Sequence, residues 1–175
     1  MSTWQIDPAH TSVEFGVKHL MISTVRGSFK DVSGTVTPGD RPSVEVSIPV
    51  ATIDTGVGQR DDHLRSADFF DAVNHPAMTF TGTLVEGDIQ SGGTLAGDLT
   101  IRGVTKPVAL EVEANGEMKD PWGNTKVGFT ATGSINRSDF GLTWNQVLEA
   151  GGFAVGEKVK LTIDVQVVKP AEVAA

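Results

Sequence analysis

Apolar residues recur at every second position along most of this 175-residue chain. Val13, Phe15 and Val17 alternate with Glu14, Gly16 and Lys18, and Met78, Phe80, Gly82 and Leu84 with Thr79, Thr81 and Thr83. The same beat runs through 95–101, 127–135 and 159–167. A period of two puts one set of side chains on a buried face and the other in water. Many such strands in succession fold over or close on themselves as an antiparallel sheet. The spacing predicts strands over 3–6, 11–20, 24–37, 43–53, 76–87, 92–102, 106–118, 124–136 and 154–168. Turns at Pro38-Gly39-Asp40, Glu86-Gly87-Asp88 and Ser91-Gly92-Gly93 separate several of them. At about 3.3 Å per residue the longer strands exceed roughly 30 Å, which makes a tall barrel with a deep interior.

Two segments break the beat. Between Thr55 and Asn74, charged residues mix with Leu64, Ala67 and Phe69 or Phe70 at helical spacing. One or two short helical turns capping the barrel are expected there. From Arg137 to Gly152 the chain carries Phe140, Leu142, Trp144, Val147 and Leu148 without alternation. A loop this apolar is expected to fold over something.

The apolar face carries glycine at Gly27, Gly82, Gly97 and Gly133. Two readings stand side by side. Missing side-chain volume leaves a hole lined by Val, Leu and Phe, which suits an apolar ligand. Alternatively, strand glycines mark bends that close a barrel. On the first reading, Gly97→Leu or Gly133→Leu lowers lipid capacity and leaves the fold intact.

Composition narrows the function. A formal charge of −8 argues against a nucleic-acid partner and against broad attraction to anionic membrane surfaces. The chain has no cysteine, so disulfides, Cys-ligated metals and thiol nucleophiles are out. MSTWQIDPAH has neither a basic nor an apolar leader region, and no stretch approaches roughly 18 apolar residues. The expectation is a cytoplasmic single domain over 1–169, with a disordered tail over 170–175.

No nucleophile elbow, phosphate loop, dinucleotide fingerprint or H-E-x-x-H pair is present. Of the histidines, His19 continues the inward face and is expected in the core, and His75 before Pro76 is expected in a turn. His10 and His63 with Asp7, Asp61 or Asp62 could form a metal site only if folding brought them together. The carboxylates Asp61, Asp62, Asp68 and Asp71 read first as a solvated face. Arg60, His63, Arg65 and Arg137 could hold an anionic head group, or could pair with Asp61, Asp62, Asp68 or Asp139.

Several stretches resemble the YceI-like family. They are Trp4-Gln5-Ile6-Asp7-Pro8-Ala9-His10-Thr11-Ser12-Val13-Glu14-Phe15, with Val17-Lys18-His19, and Val25-Arg26-Gly27-Ser28-Phe29. They continue with Ile53-Asp54-Thr55, the run from Arg60 to Asp71, Gly97 to Thr105, and Asn136 to Leu142. The resemblance covers nearly the whole chain. It implies an extended antiparallel eight-stranded lipocalin-like barrel that binds a polyisoprenoid or other long-chain amphiphilic lipid. Many members carry an export signal, which this N-terminus lacks, and no shared catalytic residues carry over.

Together these readings describe a non-enzymatic, all-β lipid-binding barrel without a cofactor or metal. Its expected tunnel is lined by Phe15, Val17, Phe29, Met78, Phe80, Leu99, Phe129 and Leu161. Its expected mouth carries Arg60, His63, Arg65, Asn136, Arg137 and Trp144. Expected partners are a lipid or isoprenoid ligand and, by pairing of exposed strands or loops, a second copy in a homodimer. The rivals are an enzyme acting on a lipid or quinone-like substrate through His63 with Asp61 or Asp62, a metal-binding protein, and a barrel packed solid.

Overall fold

In the computed structural model, which describes residues 2–171, the alternation resolves into ten strand segments and one α-helix. In chain order they are β1 (Trp4–Ile6), β2 (Ser12–His19), β3 (Ser23–Phe29), β4 (Ser33–Thr37), β5 (Ser43–Pro49), α1 (Gly58–Arg65), β6 (Ala77–Asp88), β7 (Gly92–Ile101), β8 (Val104–Lys119), β9 (Thr125–Asn136) and β10 (Val155–Lys169). The last expected tail residues, 172–175, lie outside the described residues, and Pro170 and Ala171 carry no strand.

All pairings are antiparallel, in the order β1-β4-β5-β6-β7-β8-β9-β10. β1 returns to β10 through Gln5↔Val168 and Ile6↔Val167, which closes a ring of eight. Further along, β2 takes over the same edge of β10, with Phe15 opposite Leu161 and Val13 opposite Ile163. β3 pairs with β2 and ends at a bridge between Ser28 and Asp54. Thus β1 and β2 act as one long strand interrupted by a turn, and so do β3 and β4. The lower half of the barrel is closed by β1 and β4, the upper half by β2 and β3.

The interruptions have local causes. Pro8 has no N–H to give a ladder, and the Asp7 carboxylate caps the turn by accepting from the Ala9 N–H at 3.0 Å. The strand expected over 24–37 breaks at Lys30 to Val32, where Asp31 is left-handed at φ 56°. The strand expected over 43–53 stops at Pro49 and passes into a tight helical turn, Val50–Thr52. Elsewhere the expected strands hold to within two residues.

The inward glycines do not make the lumen. A Cβ at Gly97 would stand 2.2 Å from the Thr81 carbonyl oxygen, closer than any real contact. At Gly27 it would meet the Phe15 ring at 2.5 Å, at Gly82 the Phe80 ring at 2.8 Å, and at Gly133 Leu110 Cδ2 at 2.6 Å. Neighbouring side chains cover these glycines, and the backbones approach closely there. The ligand-space reading of the glycines is therefore corrected, and with it the expectation that Gly97→Leu spares the fold.

Candidate functional site

One end of the barrel gathers the irregular segments: the β2–β3 tip, the turn at 50–52, α1, residues 66–76, and the loop from Arg137 to Ala154. Beneath them lie two stacked chambers. The upper, about 260 Å³, is bordered by Phe15, Val17, Val25, Leu64, Phe69, Phe70, Leu142, Trp144 and the buried Arg137, with Lys18, His19, Arg60 and His63 at its rim. The lower, about 160 Å³, is bordered by apolar residues alone, among them Ile6, Val13, Phe80, Leu99, Phe129 and Ala131. Met78, Ile101, Ile135 and Leu161 belong to both walls, so the chambers are neighbours along one axis.

Seven of the eight expected tunnel residues line these chambers: Phe15 and Val17 the upper, Phe80, Leu99 and Phe129 the lower, Met78 and Leu161 both. Phe29 does not. It is buried behind the others, its ring 5.6 Å from Phe15 and 5.7 Å from Phe70. Of the expected mouth residues, Arg60, His63, Arg137 and Trp144 border the upper chamber. Asn136 faces outward beside Lys106 and Lys158, because Ile135 holds the inward position. Arg65 points away toward the 50–53 segment.

The arginines of this end are occupied by the chain itself. Arg137 is almost wholly buried. Its guanidinium donates to the carbonyls of Leu142 (2.7 Å), Trp144 (2.9 Å), Val155 (3.2 Å) and Gly156 (2.7 Å). Burial pushes its pKa down, and the Glu157 carboxylate, 3.7 Å away, opposes that. Arg65 donates to the carbonyls of Ala51 and Ile53, both at 3.0 Å, and pairs with Asp62. Arg102, in the β7–β8 turn, donates to the Phe69 carbonyl at 3.0 Å. Arg60 donates to the Thr55 hydroxyl and carbonyl, each at 2.7 Å.

The physical reason is common to all four. Segments without a ladder leave carbonyls unpaired, and a guanidinium offers five donors in a planar fork. The expected anion clamp is instead a set of loop staples. Arg60 keeps Nη1, and Arg102 keeps Nη2, with no hydrogen bond among the described residues.

His63 presents its ring edge to Phe69 and Trp144, with centroids 5.2 and 4.7 Å apart. Its Nε2 lies 2.9 Å from an Asp68 carboxylate oxygen. Asp61 is buried and accepts from the Thr55 N–H at 2.9 Å and hydroxyl at 2.6 Å. The dyads considered for catalysis, His63 with Asp61 or Asp62, are therefore not formed. His19 stands exposed at the rim rather than in the core. His10 pairs with Asp7 at 2.9 Å. No group of three His, Asp or Glu side chains able to hold a metal comes together among the described residues.

Sequence reasoning missed Val25, Leu64, Phe69, Phe70, Ile101, Ile135, Leu142, Val155 and Val159 in the upper wall. Val159 was open to it by parity. Val25, Ile101 and Ile135 were open to it by parity as well, Val155 lies beside a break in the β10 register, and Leu64, Phe69, Phe70 and Leu142 sit where alternation stops.

A closed eight-strand antiparallel ring around an apolar lumen is a lipocalin-like barrel. Residues 4–167 match the YceI-like domain, and the chain belongs to that family. A UPF0312 protein of Staphylococcus aureus (strain MSSA476) is 38% identical over 165 residues, covering 91% of this chain and 94% of its own. The crystal structure of the Campylobacter jejuni YCEI protein superposes with a TM-score of 0.72 at 34% identity, covering 88% of this chain and 90% of that one. A polyisoprenoid binding domain from Saccharophagus degradans shares the fold, with a TM-score of 0.67 at 16% identity over 95% of this chain and 98% of its own. Among the described residues no helix is long and apolar enough to cross a membrane.

Proposed function

We propose that the barrel carries or stores a long-chain amphiphilic lipid, such as a polyisoprenoid, with its chain threaded from the upper chamber into the lower. The observation behind this reading is the lower chamber, whose wall holds no polar side chain. A polar metabolite there would lose its hydrogen bonds to water and gain none. The two volumes together fall toward the lower part of the ~300–1,000 Å³ range of small-molecule sites.

Energetics assign the roles. Each buried methylene contributes about 0.8 kcal/mol, so ten give roughly 8 kcal/mol before the cost of association. An exposed ion pair adds about 0–1 kcal/mol. The chain sets affinity, and the head group, near Arg60 and Lys18, sets how deep the ligand sits. The Saccharophagus degradans domain supports the ligand class through its shared barrel. The engagement of His63 with Asp68, and of Asp61 and Asp62 with other partners, favours binding over turnover.

Native mass spectrometry of gently purified protein, followed by organic extraction, tests the reading. A co-purifying apolar mass of several hundred daltons is expected. A clean apo mass, with no uptake of added long-chain isoprenoids, would sink it.

A further inference from the structure

The net charge of the chain hides a strong local asymmetry. On the outer face of β10, β2 and β3, just below the tip joining β2 to β3, Lys18, Arg26, Lys158 and Lys160 border an open groove of about 810 Å³. All four are exposed, and none enters an ion pair among the described residues. Glu14 and Asp54 are the acidic residues on that groove. Register lays the cations out in rows: Lys160 opposite Gly16, Gly16 opposite Arg26, and Lys18 two residues from the tip.

The tip itself is apolar. Met21 is 73% exposed and Ile22 82%. Leu20 and Met21 are both left-handed, at φ 52° and 62°, in a turn where Asn or Gly would sit without strain. The tip touches the neighbouring loop, since the Leu20 N–H donates to the Ala154 carbonyl at 2.8 Å. That loop exposes Val147 and Phe153, which bridge each other. Leu20, Met21, Ile22, Val147 and Phe153 thus form one apolar crest at the mouth of the lumen, with a basic shelf that begins at Lys18, about 7 Å behind it, and runs back to Arg26 and Lys160, about 13 Å behind it.

We propose that this crest and shelf dock the barrel on an anionic lipid bilayer, mouth toward the membrane. Apolar side chains enter the headgroup–acyl boundary while lysine and arginine meet lipid phosphates, the pairing that holds interfacial segments on membranes. The near end of the shelf, at Lys18, lies within one Debye length of the surface when the crest is inserted, and the long side chains farther back reach toward the same surface. Docking here sets the upper chamber against the lipid from which its proposed cargo comes, but the docking itself does not depend on what the lumen holds.

Flotation of the full chain with vesicles tests this. Vesicles of phosphatidylcholine mixed with phosphatidylglycerol should carry the protein, and added salt should weaken the association. Pure phosphatidylcholine vesicles should carry far less. Met21→Asp with Ile22→Asp, and separately Lys158→Glu with Lys160→Glu, should each lower binding roughly tenfold or more. Both pairs are exposed, and circular dichroism should show them folded. Wild type that ignores the mixed vesicles, or variants that bind as well as wild type, would overturn the proposal. So would self-association in ultracentrifugation that vanishes in the Met21→Asp, Ile22→Asp variant without vesicle binding, which would make the crest a protein interface. An empty lumen by native mass spectrometry with vesicle binding intact would remove the cargo reading and leave docking standing.

Discussion

The two halves of the barrel enclose the same axis by different means. In the lower half β1 and β4 complete a hydrogen-bonded ring, and the chamber wall is strand side chains apart from Val32, in the break between β3 and β4. In the upper half β3 ends against Asp54, and beyond it the wall is built from a tight turn, α1 and two irregular segments. Ladders alone hold the first half, and in the second arginine-to-carbonyl bonds hold the irregular segments beside the β10–β2–β3 ladders. A wall of ladders opens only by breaking many bonds together, whereas a loop roof opens locally. If the barrel binds lipid as proposed, this difference puts entry above and selection by shape below.

The largest effect expected is at the lower wall. Gly97→Leu would drive a Cβ to within 2.2 Å of the Thr81 carbonyl oxygen, and no folded protein is expected by circular dichroism. A folded variant with a narrowed lumen would instead restore the ligand-space reading of the glycines. At the roof, Arg137→Ala removes four carbonyl partners from a buried site. A loss of about 3–5 kcal/mol in chemical denaturation is expected, with the loop over 141–154 newly open to proteolysis. A loss below about 1 kcal/mol would mean that the roof holds itself.

Ala131→Phe separates the chambers, because Ala131 borders only the lower one. About 1–3 kcal/mol of overpacking strain is expected. Short-chain lipids should still bind while long ones lose affinity, read by native mass spectrometry across a chain-length series. Equal loss at every length would argue against a threaded ligand.

Asp7 sits where the halves meet, accepting from Ala9 N–H, from the His10 ring and from Lys126 Nζ at 3.3 Å. Its hydrogen bond with His10, then the Lys126 contact, hold its pKa below the ordinary 3.8 against the opposing effect of burial. Since the folded value is the lower one, the stabilisation is present above about pH 4 and fades as pH falls through the depressed value. Asp7→Asn should cost about 1–2 kcal/mol at neutral pH and progressively less in acid. An equal cost at every pH would assign Asp7 a role of shape alone.

Legibility followed the same divide. Alternation placed nearly every strand and, through it, the lower wall, because side-chain parity in a ladder is a local rule. It could also have excluded Asn136, since Ile135 already fixed the inward parity there. The break at Asp31 was invisible because nothing in Lys30-Asp31-Val32 demands a left-handed residue. The arginines do gather at this end of the barrel, but their bonds to loop carbonyls were not foreseen. Which carbonyls a loop leaves unpaired depends on where distant strands carry it. Arg102, in a two-residue turn, gave no signal at all.

The seam of the ring joins the first strand segments to the last, with Ile6 opposite Val167 and Val13 opposite Ile163. During synthesis, every other strand is therefore made before the one that completes the circle. Until β10 emerges, the growing sheet carries two raw edges, at β1–β2 and at β9. Open edges of that kind recruit strands from other chains, and joining chain ends this far apart is slow. The nascent barrel thus has a vulnerable interval that ends only with its final fifteen-residue strand. A chain cut short before Val155 would be left in it permanently.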